Sequence, residues 1–199
     1  MTFTYSQAII TAIIQGITEL FPVSSLGHAI LIPAWIGGSF KEFISEENHA
    51  YLLITIAMHL ASVIALFIVF RKRWYRIIGS AISSISGKQF NNPQFKVLSY
   101  ILIATIPVGL LGVLFSDFFQ TLFGKPLYTG AFLMLNGLIL FSAERLVRKN
   151  PNEIVADSDQ SIATHLNSKS ALLIGIGQSA ALFAGISRFG ITMSAGLLR

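Results

Sequence analysis

The sequence predicts an all-α, polytopic membrane protein, and three observations carry that prediction. Of 199 residues, 53% are hydrophobic and 12% charged, with a mean hydropathy of +0.69; a soluble domain carries about twice that charged fraction. Tyr51 to Phe70 and Val97 to Ser116 contain no formal charge, and each is close to the ~20 residues that span a bilayer core. No segment alternates polar and apolar residues as a barrel strand does, so helices must satisfy the backbone in lipid. The net charge of +5 and pI near 9.7 do not point to nucleic acid: the basic residues flank the apolar runs as topology signals do, and no aromatic-basic module accompanies them. With no Cys, there is no disulfide framework, thiolate-bound metal or thiol nucleophile. No Lys or Arg precedes the first apolar run, so it does not read as a cleaved signal peptide.

Tyr5 to Leu20 reads as an apolar helix with Ser6 as N-cap. Phe21-Pro22 breaks it, because Pro disfavours helix at the preceding residue and lacks an N–H. Gly27 to Ile36 resumes the apolar run. Neither half spans alone, which suggests a broken or re-entrant pair whose irregular backbone is buried or lines a cavity. Gly37 to Ala50, with Lys41, Glu42, Glu46, Glu47 and His49, reads as a polar loop. The span Tyr51 to Phe70 ends at Arg71-Lys72-Arg73-Trp74-Tyr75-Arg76, followed by a Ser/Gly/Asn-rich loop, cytoplasmic by the positive-inside rule. Val97 to Ser116 returns outward with a kink at Pro107. Asp117 to Pro126 is an external turn. Leu127 to Ala143 runs back to Arg145, Arg148 and Lys149, and a polar loop leads to Lys169.

Ala171 to Arg199 repeats the opening. Leu20-Phe21-Pro22-Val23-Ser24-Ser25 matches Leu182-Phe183-Ala184-Gly185-Ile186-Ser187: an apolar helix, a break, a Ser, then Gly27 or Gly190. Three spans, an odd number, separate the copies, so the second is upside down relative to the first. The expected architecture is a single integral membrane domain over residues 1–199 with an inverted-topology repeat. Its first unit covers about 5–147 and its second begins at about 170–199, with broken helices meeting near the midplane. The second unit has only its re-entrant pair, so the sequence reads as a C-terminally truncated fragment lacking three spans.

Gln15 to His28, Q-G-I-T-E-L-F-P-V-S-S-L-G-H, concentrates polar groups where they are costly, which marks a functional site. Gln15 and Glu19 share a helix face, and two oxygen donors at that spacing suit a hard divalent cation, Mg²⁺ or Ca²⁺, shared with phosphate oxygens. The competing reading has Glu19 hydrogen-bonded to the loop at Ser24 or Ser25. A helix opening near Gly27 offers free N–H groups to an anion. Ser25 and His28 suit a nucleophile–base pair or a pair around an attacking water. Ser187-Arg188 is the second polar island: a guanidinium in an apolar segment needs an anion, and phosphate is one it grips bidentately. Its competing reading is an ion pair with Glu19. Thr192, four residues after Arg188, falls on the same face. His59, Thr105, Asn136 and Gln178 read as core or interhelical contacts. Glu with a cation, Ser/His and Arg in a bilayer cavity suit an anionic phosphate ester of a lipid.

These two stretches resemble the signature motifs of the undecaprenyl-diphosphatase (bacitracin-resistance) family. The first is similar to its (E/Q)-x-x-x-E element followed by P-x-S-S-x-G-H. The second, A-L-F-A-G-I-S-R-F-G-I-T, is similar to P-G-x-S-R-S-x-x-T, and the I-P-V-G-L-L-G stretch from Ile106 to Gly112 also fits. The resemblance implies hydrolysis of undecaprenyl diphosphate to the monophosphate, which recycles the cell-wall lipid carrier. It further implies divalent-cation dependence, a multi-pass protein of the bacterial inner membrane, and a site opening to the outer, periplasmic side. Carried over by position, Glu19, Ser25, His28 and Arg188 are catalytic, Ser24, Gly27, Ser187 and Thr192 bind substrate, and Gln15 with Glu19 holds the metal. Ala184 stands where the motif has Pro, and Phe189 where it has Ser. The expected partners are a polyprenyl diphosphate and membrane lipids, with a homodimer among the options for assembly.

Two other functions compete. The type-2 phosphatidate-phosphatase superfamily needs a His where this sequence has Ser194, so that reading fails. A polyprenyl-phosphate or other lipid or anion transporter would use the same broken helices without hydrolysis.

Overall fold

The computed structural model describes residues 4–43, 49–87, 90–149 and 159–197. Every regular element among them is helical: α1 (Tyr5–Leu20), α2 (Ser25–Ile36), α3 (Gly38–Phe43), α4 (His49–Val69), α5 (Arg71–Ser86), α6 (Pro93–Leu114), α7 (Ser116–Leu122), α8 (Pro126–Lys149), α9 (Asp159–His165), α10 (Ser168–Gln178), a 3-10 turn (Ser179–Leu182) and α11 (Arg188–Leu197). Among the described residues, three helices are long and apolar enough to cross a membrane, at 51–69, 93–114 and 126–148. Side chains such as Leu53, Val69, Val113, Met134 and Leu138 point outward, which only a lipid environment tolerates on this scale. The chain is an all-α, multi-pass membrane protein.

The cap of α1 is Thr4 rather than Ser6. Thr4 Oγ1 accepts from the Gln7 N–H at 3.3 Å, and Gln7 Oε1 accepts from the Thr4 N–H at 3.0 Å, a reciprocal box that satisfies two otherwise orphaned donors. The segment from Gly37 is not wholly a loop, since α3 forms within it; residues 44–48, with Glu46 and Glu47, lie outside the described residues. The stretch after Arg71 is not a loop either. It forms α5, which buries Ile77, Ala81 and Ser84 on one face and exposes Arg71, Lys72 and Arg76. Ser and Gly content hides that periodicity, but one apolar stripe suffices when a neighbouring helix covers it. Trp74 stacks on Phe67 with ring centroids 5.8 Å apart, turning α5 back against the end of α4. Arg73 Nη2 donates to the buried Asp159 Oδ1 at 3.0 Å, fastening α5 to α9. The expected turn from Asp117 to Pro126 contains α7, and residues 150–158 lie outside the described residues.

Within lipid there is little hydrophobic gain in bringing helices together, so close packing of small residues decides which ones meet. Gly175 of α10 lies against the Ala104 backbone of α6, where any side chain would collide. α8 packs on both α2 and α11, which brings the two breaks together.

Candidate active site

The first break begins where α1 ends. Gln15 and Glu19 occupy successive turns, and Gln15 Nε2 donates to Glu19 Oε2 at 2.9 Å. The chain then turns tightly through Pro22, with the Val23 N–H bonded to the Phe21 carbonyl at 2.7 Å. Ser24 follows at φ 70°, the one described non-glycine residue with positive φ. That conformation is strained for an L-residue and clusters at functional sites. It lets Ser24 Oγ accept from the Gly27 N–H at 3.2 Å, starting α2 at Ser25. Ser25 then faces back toward α1, and its Oγ donates to Glu19 Oε2 at 2.5 Å, the short length of a charge-assisted O–H···O⁻ bond.

The second break is built differently and ends the same way. No proline is present: α10 runs into a 3-10 turn, and Gly185 at φ +117° reverses the chain. A side chain at Gly185 would overlap the Thr129 and Leu133 backbone of α8. Ala184, in the proline position of the motif, is buried in a cluster with Ile30 and Tyr51, so a small side chain fits there. Ser187 Oγ accepts from the Gly190 N–H at 3.2 Å, and α11 starts at Arg188. In cap register Ser24 corresponds to Ser187, Gly27 to Gly190 and Pro22 to Gly185. This is one residue away from the letter match that sets Ser25 on Ser187. Ser25 and Arg188 are thus counterparts, each the first residue of its helix.

The two breaks cross reciprocally. A Cβ on Gly27 would lie 3.2 Å from Gly185 Cα, and one on Gly190 would lie 3.1 Å from the Pro22 carbonyl oxygen. Each glycine therefore meets the counterpart of the residue that the other meets. Asn136 of α8, 2% exposed, joins the two breaks. Its Nδ2 donates to the Pro22 carbonyl at 3.2 Å, and its Oδ1 accepts from the Ser187 N–H at 2.9 Å.

Between the breaks and α4 lies a cavity of about 500 Å³ lined by Glu19, Ser24, Ser25, His59, Ser187 and Arg188. The rest of its wall is mainly apolar, with Leu52, Ile56, Leu60 and Val63 along α4, and Phe123, Phe183 and Phe189 opposite. The first N–H groups of a helix have no intrahelical acceptor. The residues that open α2 and α11, Ser25 and Arg188, both line this one cavity, which makes it a natural anion site.

Among the sequence-derived candidates, the fold brings Glu19, Ser24, Ser25, Ser187 and Arg188 to this cavity. Glu19 and Arg188 form no ion pair with each other among the described residues. Gln15, 1% exposed, stands behind Glu19 rather than on the cavity wall. Ser25 bonds Glu19, not His28. The His28 Nδ1 lies 2.8 Å from the Ser24 carbonyl of its own helix, and His28 is not part of the lining. Gly27 serves the crossing of the breaks. Thr192 lines a separate apolar pocket with Phe70, Trp74 and Ile174, because α11 carries it away from the cavity within one turn. Two residues do more in the fold than their setting in the sequence suggests. Asn136 is the clamp just described, and His59 lies on the cavity wall with Nε2 3.8 Å from Glu19 Oε2. A signal for His59 exists in the sequence: it is the midpoint of α4, at the depth where a broken helix would end.

Residues 8–199 match the family described as Bacitracin resistance protein BacA. The chain is 38% identical over 210 residues to "Undecaprenyl-diphosphatase" of Mycolicibacterium paratuberculosis, covering 98% of this chain and 69% of the relative. The same identity and coverage hold for "Undecaprenyl-diphosphatase" of Mycobacterium avium. "Undecaprenyl-diphosphatase 2" of Frankia alni is 35% identical over 250 residues, covering 98% of this chain and 73% of the relative.

Proposed function

The chain belongs to the bacitracin resistance protein BacA family, and we propose that it hydrolyses undecaprenyl diphosphate to undecaprenyl phosphate and inorganic phosphate. The observation that carries this reading is the cavity: the starts of two helices, a Glu19–Ser25 pair and the Arg188 guanidinium share a space walled by apolar side chains. A diphosphate on a hydrocarbon tail fits both parts. The phosphates lie against Arg188 and the helix N-termini, and the first prenyl units lie along Leu52, Ile56, Leu60 and Val63.

Glu19 accepts the Ser25 hydroxyl proton as Ser25 Oγ attacks the terminal phosphorus. The Oγ–P bond forms, the bond from phosphorus to the bridging oxygen breaks, and undecaprenyl phosphate leaves, its oxygen protonated by Glu19. Water then attacks the phosphoserine with Glu19 again taking a proton, the Oγ–P bond breaks, Glu19 returns that proton to Ser25 Oγ, and inorganic phosphate is released. Arg188 neutralises charge on the transferred phosphoryl group throughout. Gln15 keeps the Glu19 carboxylate aimed at Ser25, and Asn136 keeps the two halves in register.

The residues fit a divalent cation, Mg²⁺ or Ca²⁺. Both hydrogen bonds to Glu19 go to Oε2, which leaves Oε1 without one among the described residues, and the buried Gln15 Oε1 also lacks a partner. Glu19 would hold the ion with Gln15 behind it. Such an ion, when bound, offsets the repulsion between the carboxylate and the diphosphate oxygens.

The cavity follows α4 from Leu52 to Val63, away from the Arg71–Arg76 cluster at the other end. The positive-inside rule puts that cluster in the cytoplasm, which supports a site opening to the outer face of the bacterial plasma membrane. Product released there returns the carrier lipid to cell-wall synthesis, and removing its diphosphate form is what would confer bacitracin resistance. Phosphate release is measured from undecaprenyl diphosphate with the purified protein and Mg²⁺ or Ca²⁺. Release that Ser25→Ala abolishes supports the mechanism. Lipid binding without release would instead make the protein a carrier, and full release from Ser25→Ala would pass the attack to water.

A further inference from the structure

His59 is not used by the mechanism above, yet its position is specific. Its Nδ1 lies 2.8 Å from the Thr55 carbonyl oxygen one turn earlier in α4. A carbonyl can only accept, so Nδ1 carries the hydrogen. In the neutral ring this leaves the Nε2 lone pair, which lies 3.8 Å from Glu19 Oε2 on the wall of the cavity. Oε2 already accepts from Gln15 and Ser25. At that separation the two are too far apart for a hydrogen bond, and a neutral ring and the carboxylate, both facing the cavity, are drawn together by a cation between them. Two ligands of one metal ion, each about 2.1 Å from it, sit about 3–4 Å apart. The observed 3.8 Å therefore leaves room for one ion between the imidazole and the Glu19 carboxylate, held by the free Oε1 rather than by Oε2, which Gln15 and Ser25 already occupy.

We propose that His59 Nε2 is, with Glu19, a direct ligand of the divalent cation, so that α4 closes the metal site across the cavity from the first break. This rests on the phosphatase reading and deepens it by naming the second protein donor. Among the described residues no third His, Asp or Glu joins the pair. The remaining positions fall to phosphate oxygens and water, the arrangement expected when substrate completes the coordination. An imidazole donor has a further consequence. An imidazole nitrogen suits first-row transition ions better than it suits Ca²⁺, so it raises the preference for Mn²⁺ over Ca²⁺ above that of an all-oxygen site. The fixed tautomer belongs to the same design: a ligating His commonly donates its other N–H to a backbone carbonyl, which orients the ring.

The test uses Mn²⁺ alone as probe, bound to the purified protein in detergent, with pulsed EPR reading ¹⁴N modulation on the manganese. The wild-type protein is expected to show histidine ¹⁴N coupling and to bind Mn²⁺ in preference to Ca²⁺. His59→Gln, which puts an oxygen donor in place of the nitrogen, should lose the coupling, weaken Mn²⁺ binding by about tenfold or more and shift the preference toward Ca²⁺. The wild-type spectrum needs no variant to fold. Manganese bound without ¹⁴N coupling, coupling that survives His59→Gln, or no Mn²⁺ binding at all would each overturn the assignment. Phosphate release in the same samples separates the two claims. Release without ¹⁴N coupling removes His59 from the metal and leaves the phosphatase reading intact. Coupling without release keeps His59 as a ligand and overturns the phosphatase reading.

Discussion

The two breaks solve one backbone problem with different residues and then carry different chemistry. In the first, Pro22 ends the helix and Ser24 takes the strained conformation. In the second, a 3-10 turn leads to Gly185, and no proline is needed. Both finish with a Ser hydroxyl capping the N–H three residues on, at Gly27 and Gly190, so the next helix starts at a defined point facing the cavity. The first residue of that helix is Ser25 in one break and Arg188 in the other. Once the backbone is fixed twice, the side chain at one position is free to differ. One copy supplies the hydroxyl and its carboxylate partner, the other the guanidinium.

If that division of labour is right, the largest losses come from the chemistry of the first break. Glu19→Gln removes the base and the charged ligand while keeping shape, and phosphate release should fall by about 10³-fold or more; a loss under about tenfold would remove Glu19 from the reaction. Arg188→Ala deletes the other break's contribution and should cost about 10²–10³-fold, with Arg188→Lys recovering only part because it lacks the planar fork. A Lys variant with full activity would show that charge alone is needed.

The joint between the breaks comes next. Asn136→Leu removes a buried donor and a buried acceptor that serve opposite halves. It should lower stability by about 1–3 kcal/mol and reduce turnover with it, read as the thermal midpoint in detergent beside phosphate release. An unchanged midpoint would mean that helix packing alone holds the crossing. The smallest effect is expected at Thr192. The motif resemblance expects it to bind substrate, while the fold gives it to a separate apolar pocket. Thr192→Val should change KM by no more than about twofold, within the ±0.5 kcal/mol typical of substitutions away from a site; a larger change in KM would bring Thr192 back into the cavity.

The spans and both breaks were legible because each is a local matter. Charge-free runs report lipid, and Pro22, Gly185 and the polar residues around them report an interruption. The amphipathic α5 was not legible as helix, since its Ser and Gly content reads as loop until α6 is there to cover Ile77 and Ala81. The pairing at the site was harder still. Spacing alone suggested Ser25 with His28, three residues apart on one helix. The break folds Ser25 back onto Glu19 instead, and His28 turns to the carbonyl of Ser24. His59 and Asn136 looked ordinary because their partners, Glu19 and the Pro22 and Ser187 backbones, are remote in sequence and arrive only with the tertiary fold.

The claim that both breaks act on one phosphoryl group is tested most directly by a double-mutant cycle on phosphate release from undecaprenyl diphosphate, with Ser25→Ala, Arg188→Ala and the combination. Groups that act as a unit are strongly non-additive, so the double variant should be little slower than the slower single variant. Losses that multiply would show that Ser25 and Arg188 contribute independently and that the two breaks do not form one site.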